Sequence, residues 1–557
     1  MTDPEQKGLT ANAKILGSDY RTRDDGVTVT RPRLRRCPII CLTGTLILAT
    51  GPASAAPIAW IGGAGDWFDG PNWSLGIAPG NVDDTRIDNG GSATADSGSG
   101  FYPGGGTLAE TNNLNVGVRT NPILLPPYGS GTLTLNAVGL SVGGNLNVGV
   151  TNASSAIGFG SSNGSLTTSS GVNNPGNIDV GGDAAFGNFI DGVASGTATG
   201  TGSVAGSLTG MAAGGLIVGH TEGDGNADGT LTVSGDVADF TSLQVGVTGL
   251  SSTGNAAGGM NVGGTLSRTP GGGFISVGTV AGAGQSSGTL SVANGINGFL
   301  SLGVGNGSAD INATGSTTGT LDVLAGGVHS GALNGVSFEV GNTNAHGSTV
   351  GTANITGGIS GYNAIEVGNV RGNNSTGNAT GQLSISGGPV TASNMRVGVS
   401  EGGIGIATGI VSLDPTLVTL DTGLVLGDGS TLQMAIDGNS RGVDYAAFDV
   451  ANAAIDGILE VLFSFDPLSA VYDLIVSDSI NGISGDFDSV SVFGLGIGTT
   501  YSYGIEVANI GGMDVEIYRL RVGETNGSTV PEPAALLLLV AGLTGVLVLR
   551  SRRSAIE

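Results

Sequence analysis

Gly229-Thr-Leu-Thr-Val-Ser-Gly-Asp-Val-Ala-Asp-Phe-Thr-Ser-Leu-Gln-Val-Gly246 is the stretch that decides the fold. Leu231 and Val233 alternate with Thr230 and Thr232, so a strand here turns two apolar side chains one way and two hydroxyls the other. A Gly-containing turn follows, and Leu243-Gln-Val-Gly246 repeats the alternation before a glycine that permits a sharp change of direction. Strands this short cannot bury a face alone.

Both halves of the stretch recur along the chain. The Gly-x-Leu-x-Val/Ile form returns at Gly131–Leu135, Gly288–Val292, Gly319–Val323 and Gly381–Ile385. The apolar-x-Val-Gly form ends at Gly117, Gly149, Gly181, Gly219, Gly246, Gly263, Gly278, Gly341, Gly368 and Gly398, with Leu300-Ser-Leu-Gly303 as a variant. These glycines define ten intervals over 281 residues, a mean of about 28. Short strands at a loose period of this size predict an all-β solenoid, in which each coil buries the face of the next. A right-handed parallel β-helix is expected, with an array of β-sandwiches as the alternative.

Composition agrees. The 557 residues include 106 glycines, yet 39% are hydrophobic and only 11% charged, which is unlike a disordered linker. Between Ala56 and Val530 there are eight arginines, no lysine and 37 acidic residues, a formal charge near −29. Such a body repels phosphate backbones, so no nucleic-acid partner is expected. The two cysteines, Cys37 and Cys41, both lie upstream, leaving the body without disulfides, thiol chemistry or Cys-ligated zinc.

The two ends carry address information. Arg31-Pro-Arg-Leu-Arg-Arg36, the apolar Cys37–Gly51 and Ala53-Ser-Ala55 have the order of a secretory signal, with a long n-region and cleavage after the small residues Ala53 and Ala55. At the other end, Val530-Pro531-Glu532-Pro533 precedes the apolar run 534–549 and then Arg550, Arg552 and Arg553. As a helix the run rises roughly 24 Å, close to a bilayer core, and the arginines would hold its end in the cytoplasm. This Pro-Glu-Pro, apolar-helix, Arg-rich order resembles the PEP-CTERM sorting signal of Gram-negative bacteria. The resemblance covers about the last 25 residues. It implies processing near Pro531-Glu532-Pro533 by an exosortase-type membrane enzyme, after signal peptidase has acted at the other end, and an association with extracellular polysaccharide. Anchorage would precede processing, with the body then at the cell surface or outside the cell.

The segments divide as 1–55 signal, 56–105 Trp-rich cap, 106–412 solenoid, 413–522 C-terminal β-domain of longer strands, 523–529 linker and 530–553 sorting tail. All three tryptophans, Trp60, Trp67 and Trp73, fall in the cap. That stretch resembles a module at the start of secreted bacterial β-helix and autotransporter-like proteins, where it would close the first coil.

Chemistry-bearing patterns are few. Asp224, Asn226 and Asp228, with Glu222 beside them, place oxygens at alternate positions before Gly229, as a hard cation such as calcium requires. The twelfth position of an EF-hand-like loop is Gly235, however, with Asp236 one residue late. Glu339, Glu366 and Arg396 occupy the same outward slot of three repeats and are expected to stack in one column. His220, His329 and His346 lack ligand spacing, and no nucleophile elbow, Walker or zinc motif is present. The expected function is therefore a non-catalytic surface or matrix protein, structural or adhesive, without a cofactor unless calcium binds. The alternative is a polysaccharide-modifying β-helix lyase or glycoside hydrolase.

Overall fold

The computed structural model describes residues 57–523, apart from 97–107, 119–127, 137–138, 151–156, 160, 174–176, 181–192, 196, 211–213, 251, 270–271, 308–312, 332–334, 373 and 468. The signal segment, with Ala53 and Ala55, and the sorting tail, with Pro531, Glu532, Pro533, the run 534–549 and Arg550, Arg552 and Arg553, lie outside the described residues. Among the described residues no helix is long and apolar enough to cross a membrane.

The described chain is a parallel β-solenoid of about 12 turns. The deciding stretch forms one coil: a long strand Asn226–Val233, a two-residue strand Val237–Ala238 and a third strand Ser242–Thr248. Each pairs in parallel with its counterpart one coil on, Ala256–Val262, Leu266–Ser267 and Phe274–Val280. The long strands build a 15-stranded sheet, and the other two classes join in a 27-stranded one. Leu231, Val233, Val237, Leu243 and Val245 all point inward and are at most 3% exposed. Each such side chain contributes roughly 1.5–3 kcal/mol by leaving water, so stacking coils is what makes these short strands stable.

Glycine does more than turn the chain. The first glycines of the Gly-x-Leu-x-Val strands stand in register over ten rungs, from Gly131 through Gly288 to Gly409. A Cβ on Gly288 would come within 2.2 Å of both Gly278 N and Val245 O. Gly278 is itself a Val-Gly turn glycine with φ +60, and its Cβ would lie 2.1 Å from Thr318 O. The two sheets therefore touch backbone to backbone along this line, and only a residue without a side chain fits on either side. Ser or Thr two residues before the strand glycine staples the turn: Ser162 and Thr349 donate to the carbonyls of Gly149 and Gly341 at 3.0 and 2.9 Å.

Two repeat units sit elsewhere than the sequence suggests. Met260-Asn-Val-Gly263 belongs to a long strand, with Met260 beside Leu231 and Leu290. The unit expected at Leu300–Gly303 lies two residues later, with Leu302 and Val304 inward and Gly305, φ +65, at the turn. Both displacements arise because either strand class shows the same two-residue alternation.

Trp60, Trp67 and Trp73 close the first coil. Each is 1% exposed, and Trp73 packs edge-to-face against the other two with ring centroids 4.9 Å apart. Past residue 413 the parallel rungs continue to Ser489–Phe493. The strands Tyr501–Ile510 and Met513–Val522 then form an antiparallel hairpin that also covers Ala470–Ser477. Aromatic rings at one end and a reversed strand at the other shield the rungs from pairing with another chain.

Candidate functional site

The ladder aligns Glu339 with Glu366 and Glu366 with Arg396 on the outward face of the 27-stranded sheet. Period-two alternation sets this arrangement: Phe338, Ile365 and Met395 are driven inward, so the next residue of each strand faces out. Arg371 sits at the neighbouring corner, in register with Glu401. Its guanidinium lies 3.3 Å from Glu339 Oε1 and also pairs with the Glu366 carboxylate, while Arg396 pairs with Glu401. Glu339 further accepts hydrogen bonds from Asn306 Nδ2 at 2.9 Å and Ser337 Oγ at 3.0 Å. Glu366, only 5% exposed, accepts from Asn342 Nδ2 at 3.0 Å.

Sequence reasoning found the column but missed what holds it. The residue after each turn glycine is asparagine at Asn306, Asn342 and Asn369, and all three are buried. Asn342 N donates to Asn306 Oδ1 at 3.1 Å, Asn369 N to Asn342 Oδ1 at 2.9 Å, and Val399 N to Asn369 Oδ1 at 2.9 Å. This amide ladder satisfies backbone N–H groups that the turn leaves without a strand partner. Its signal was the tripeptide Val-Gly-Asn at 304–306, 340–342 and 367–369.

The chemistry of the column is restrictive. Glycoside hydrolysis needs one carboxylic acid free to protonate the leaving oxygen and a second carboxylate free to act as nucleophile or base. Here Arg371 engages both Glu339 and Glu366, and amides occupy further lone pairs. Beside the column lies an open groove of about 370 Å³, lined by Asn394, Arg396, Thr422, Asn452, Asn481 and Ser484. Part of its polar lining ties rung to rung: Thr422 Oγ1 donates to Ser393 O at 2.7 Å and Asn452 Nδ2 to Thr422 O at 3.3 Å.

The residues expected to suit calcium also hydrogen-bond within the protein. Asn226 Oδ1 accepts from Asn255 N at 3.0 Å, the Asp224 carboxylate accepts from the Thr253 hydroxyl, and Asp228 projects outward between Thr199 and Ala257. Among the described residues, the group of three ionisable side chains close enough to share a cation is Asp428, Asp456 and Asp488, exposed, with ligand oxygens within 4.8 Å of one another. Two of them show in the sequence only as Asp-Gly turns, and nothing but the coil register brings the three together.

His220 lies in the strand Gly215–Thr221, and burial lowers its pKa to about 4. Glu222 is 4.0 Å away, its own carboxyl raised by partial burial. His329 contacts Ser360 Oγ at 2.7 Å and Gly326 O at 2.9 Å, and His346 contacts Thr376 Oγ1 at 2.8 Å. The three histidines thus stand apart, each within its own coil neighbourhood. Comparison with protein families, with curated proteins and with solved structures gives no match to this chain.

Proposed function

We propose that the chain is an exported, non-catalytic surface or extracellular-matrix protein, structural or adhesive, delivered through its Pro531-Glu532-Pro533 tail. The observation that carries the non-catalytic part is Arg371 lying between Glu339 and Glu366. It turns the most enzyme-like feature of the sequence into a closed ion-pair network. The tryptophans are buried as a plug and present no ring face to a sugar. The address is supported by the signal-like segment before Ala56 and by the three-part tail. An exosortase-type enzyme and signal peptidase are the partners that follow, with extracellular polysaccharide as the surroundings.

Two experiments test this. Deleting 531–553 should move the body to a different cell fraction from wild type, and an unchanged distribution would refute the sorting role. Purified protein incubated with acidic and neutral polysaccharides, with and without calcium, should release neither reducing ends nor unsaturated products. Turnover that disappears in Glu339→Gln or Glu366→Gln would establish the lyase or hydrolase alternative instead.

A further inference from the structure

The outward face of the 15-stranded sheet is dominated by small hydroxyl side chains. On the ten rungs that share the strand glycine, three outward columns run one residue before it, one after it and three after it. The register passes through all ten without a shift. Of these 30 positions 20 are serine or threonine, none is aromatic, and only Asp228 and Asp322 are charged. Charge is sparse on this face, as it is in a chain of which only 11% of residues are charged. The column after the glycine includes Thr201, Thr230, Thr289, Thr320 and Thr352, broken by Gly259. Among the described residues the hydroxyls of these five threonines have no hydrogen-bond partner.

Rungs repeat every 4.7–4.9 Å or so, and alternate residues of a strand stand about 6.7 Å apart. The result is a two-dimensional grid of small side chains, 13 of them threonines that offer a methyl beside a hydroxyl. A hydroxyl both donates and accepts, as water does, while the methyl confines the water next to it. We propose that this face binds an ordered water lattice, the surface of ice. Its side chains repeat regularly in two directions, as the oxygens of a lattice do, and hydroxyls without protein partners are free to hydrogen-bond to such a lattice. Other occupants fit less well. A protein partner would want aromatic or arginine anchors and an apolar centre. A nucleic acid or anionic surface would want positive charge. A sugar polymer would want aromatic platforms. The inference deepens the adhesive reading above and rests on it, because ice is met outside the cell.

The test uses purified full-length protein, frozen with and without Thr230→Lys/Thr289→Lys/Thr320→Lys. The control is Gln244→Lys/Ser276→Lys on the outward face of the other sheet. Wild type and control should adsorb to a growing ice front and slow recrystallisation. The threonine variant should lose both effects while keeping its circular dichroism and melting temperature. Wild-type protein that stays in the liquid, or a control that loses as much as the threonine variant, would overturn the assignment. So would threonine-dependent binding to an insoluble neutral glucan in the absence of ice affinity, which would give the face to polysaccharide. These outcomes are read on purified protein, so their failure is distinct from a failure of export, which fractionation of cells reports.

Discussion

Replacing Gly288 by alanine probes the line where the two sheets meet. The new methyl would be placed 2.2 Å from Gly278 N and 2.2 Å from Val245 O, both main-chain atoms of the facing sheet. Contacts of this kind settle near 3.5–4.0 Å, so the sheets must part locally by roughly 1 Å or more. Neither obstacle is a side-chain tip that can rotate away. The cost therefore belongs at or above the upper end of the range of about 1–3 kcal/mol for overpacking. Gly259 provides the internal control. It lies on the next rung back, one residue past the column, and a Cβ there meets nothing within 4 Å. Gly259→Ala should instead stabilise, by the roughly 0.5–1 kcal/mol that glycine costs inside a strand. Urea unfolding followed by far-ultraviolet circular dichroism should separate the two variants by about 3.5–4 kcal/mol or more, the sum of the two effects. Tryptophan fluorescence recorded alongside reports the cap alone, because all three tryptophans are there. In a stack whose coils contact only their neighbours, the dichroism of Gly288→Ala should fall before the fluorescence does. Coincident midpoints for Gly288→Ala and Gly259→Ala would refute backbone contact as the reason for the glycine column.

Three further expectations follow from side-chain chemistry. His220 is held neutral in the fold down to about pH 4 by burial, whereas the unfolded residue takes a proton near 6.5. Stability should therefore fall as pH drops from 6.5 toward 4, by up to about 3 kcal/mol, and His220→Gln should flatten that limb of a melting-temperature profile; an unaltered slope would contradict it. Arg371→Met should destabilise by about 1–3 kcal/mol, a figure reduced from fully buried pairs because the arginine is 28% exposed, and Glu366→Gln in the same background should recover part of it. Additive effects of the two substitutions in a double-mutant cycle would count against a shared network. Asp456→Asn should raise the melting temperature in dilute buffer by removing one of three crowded carboxylates, and the gain should shrink as salt screens the remaining charge; a salt-independent gain would point to another cause.

What the sequence revealed follows from what period two can encode. The alternation at Leu231/Val233 and Leu243/Val245 identifies strands, their inward faces and a stack, and it places Glu339, Glu366 and Arg396 in one column. It does not say which of the two sheets a strand joins, so Met260–Gly263 reads as a turn unit although it is a long strand. The ten-rung glycine column was present in every Gly-x-Leu-x-Val motif. Its reason, contact with the facing backbone, becomes visible only when Gly278 and Val245 are brought opposite Gly288. The Asp428, Asp456 and Asp488 group was hidden for a related reason: coil length, not local pattern, decides which turns stack. Arg371 was overlooked as a scattered arginine, since a corner position has no periodicity to reveal it.

The most direct test is the mass of the protein found outside the cell. Export and tail processing predict a body that begins after Ala55 and ends near Pro531-Glu532-Pro533, recovered from the surface or extracellular fraction. Recovery from the cytoplasm of an intact chain that keeps both the N-terminal segment and residues 534–553 would contradict the account at its centre.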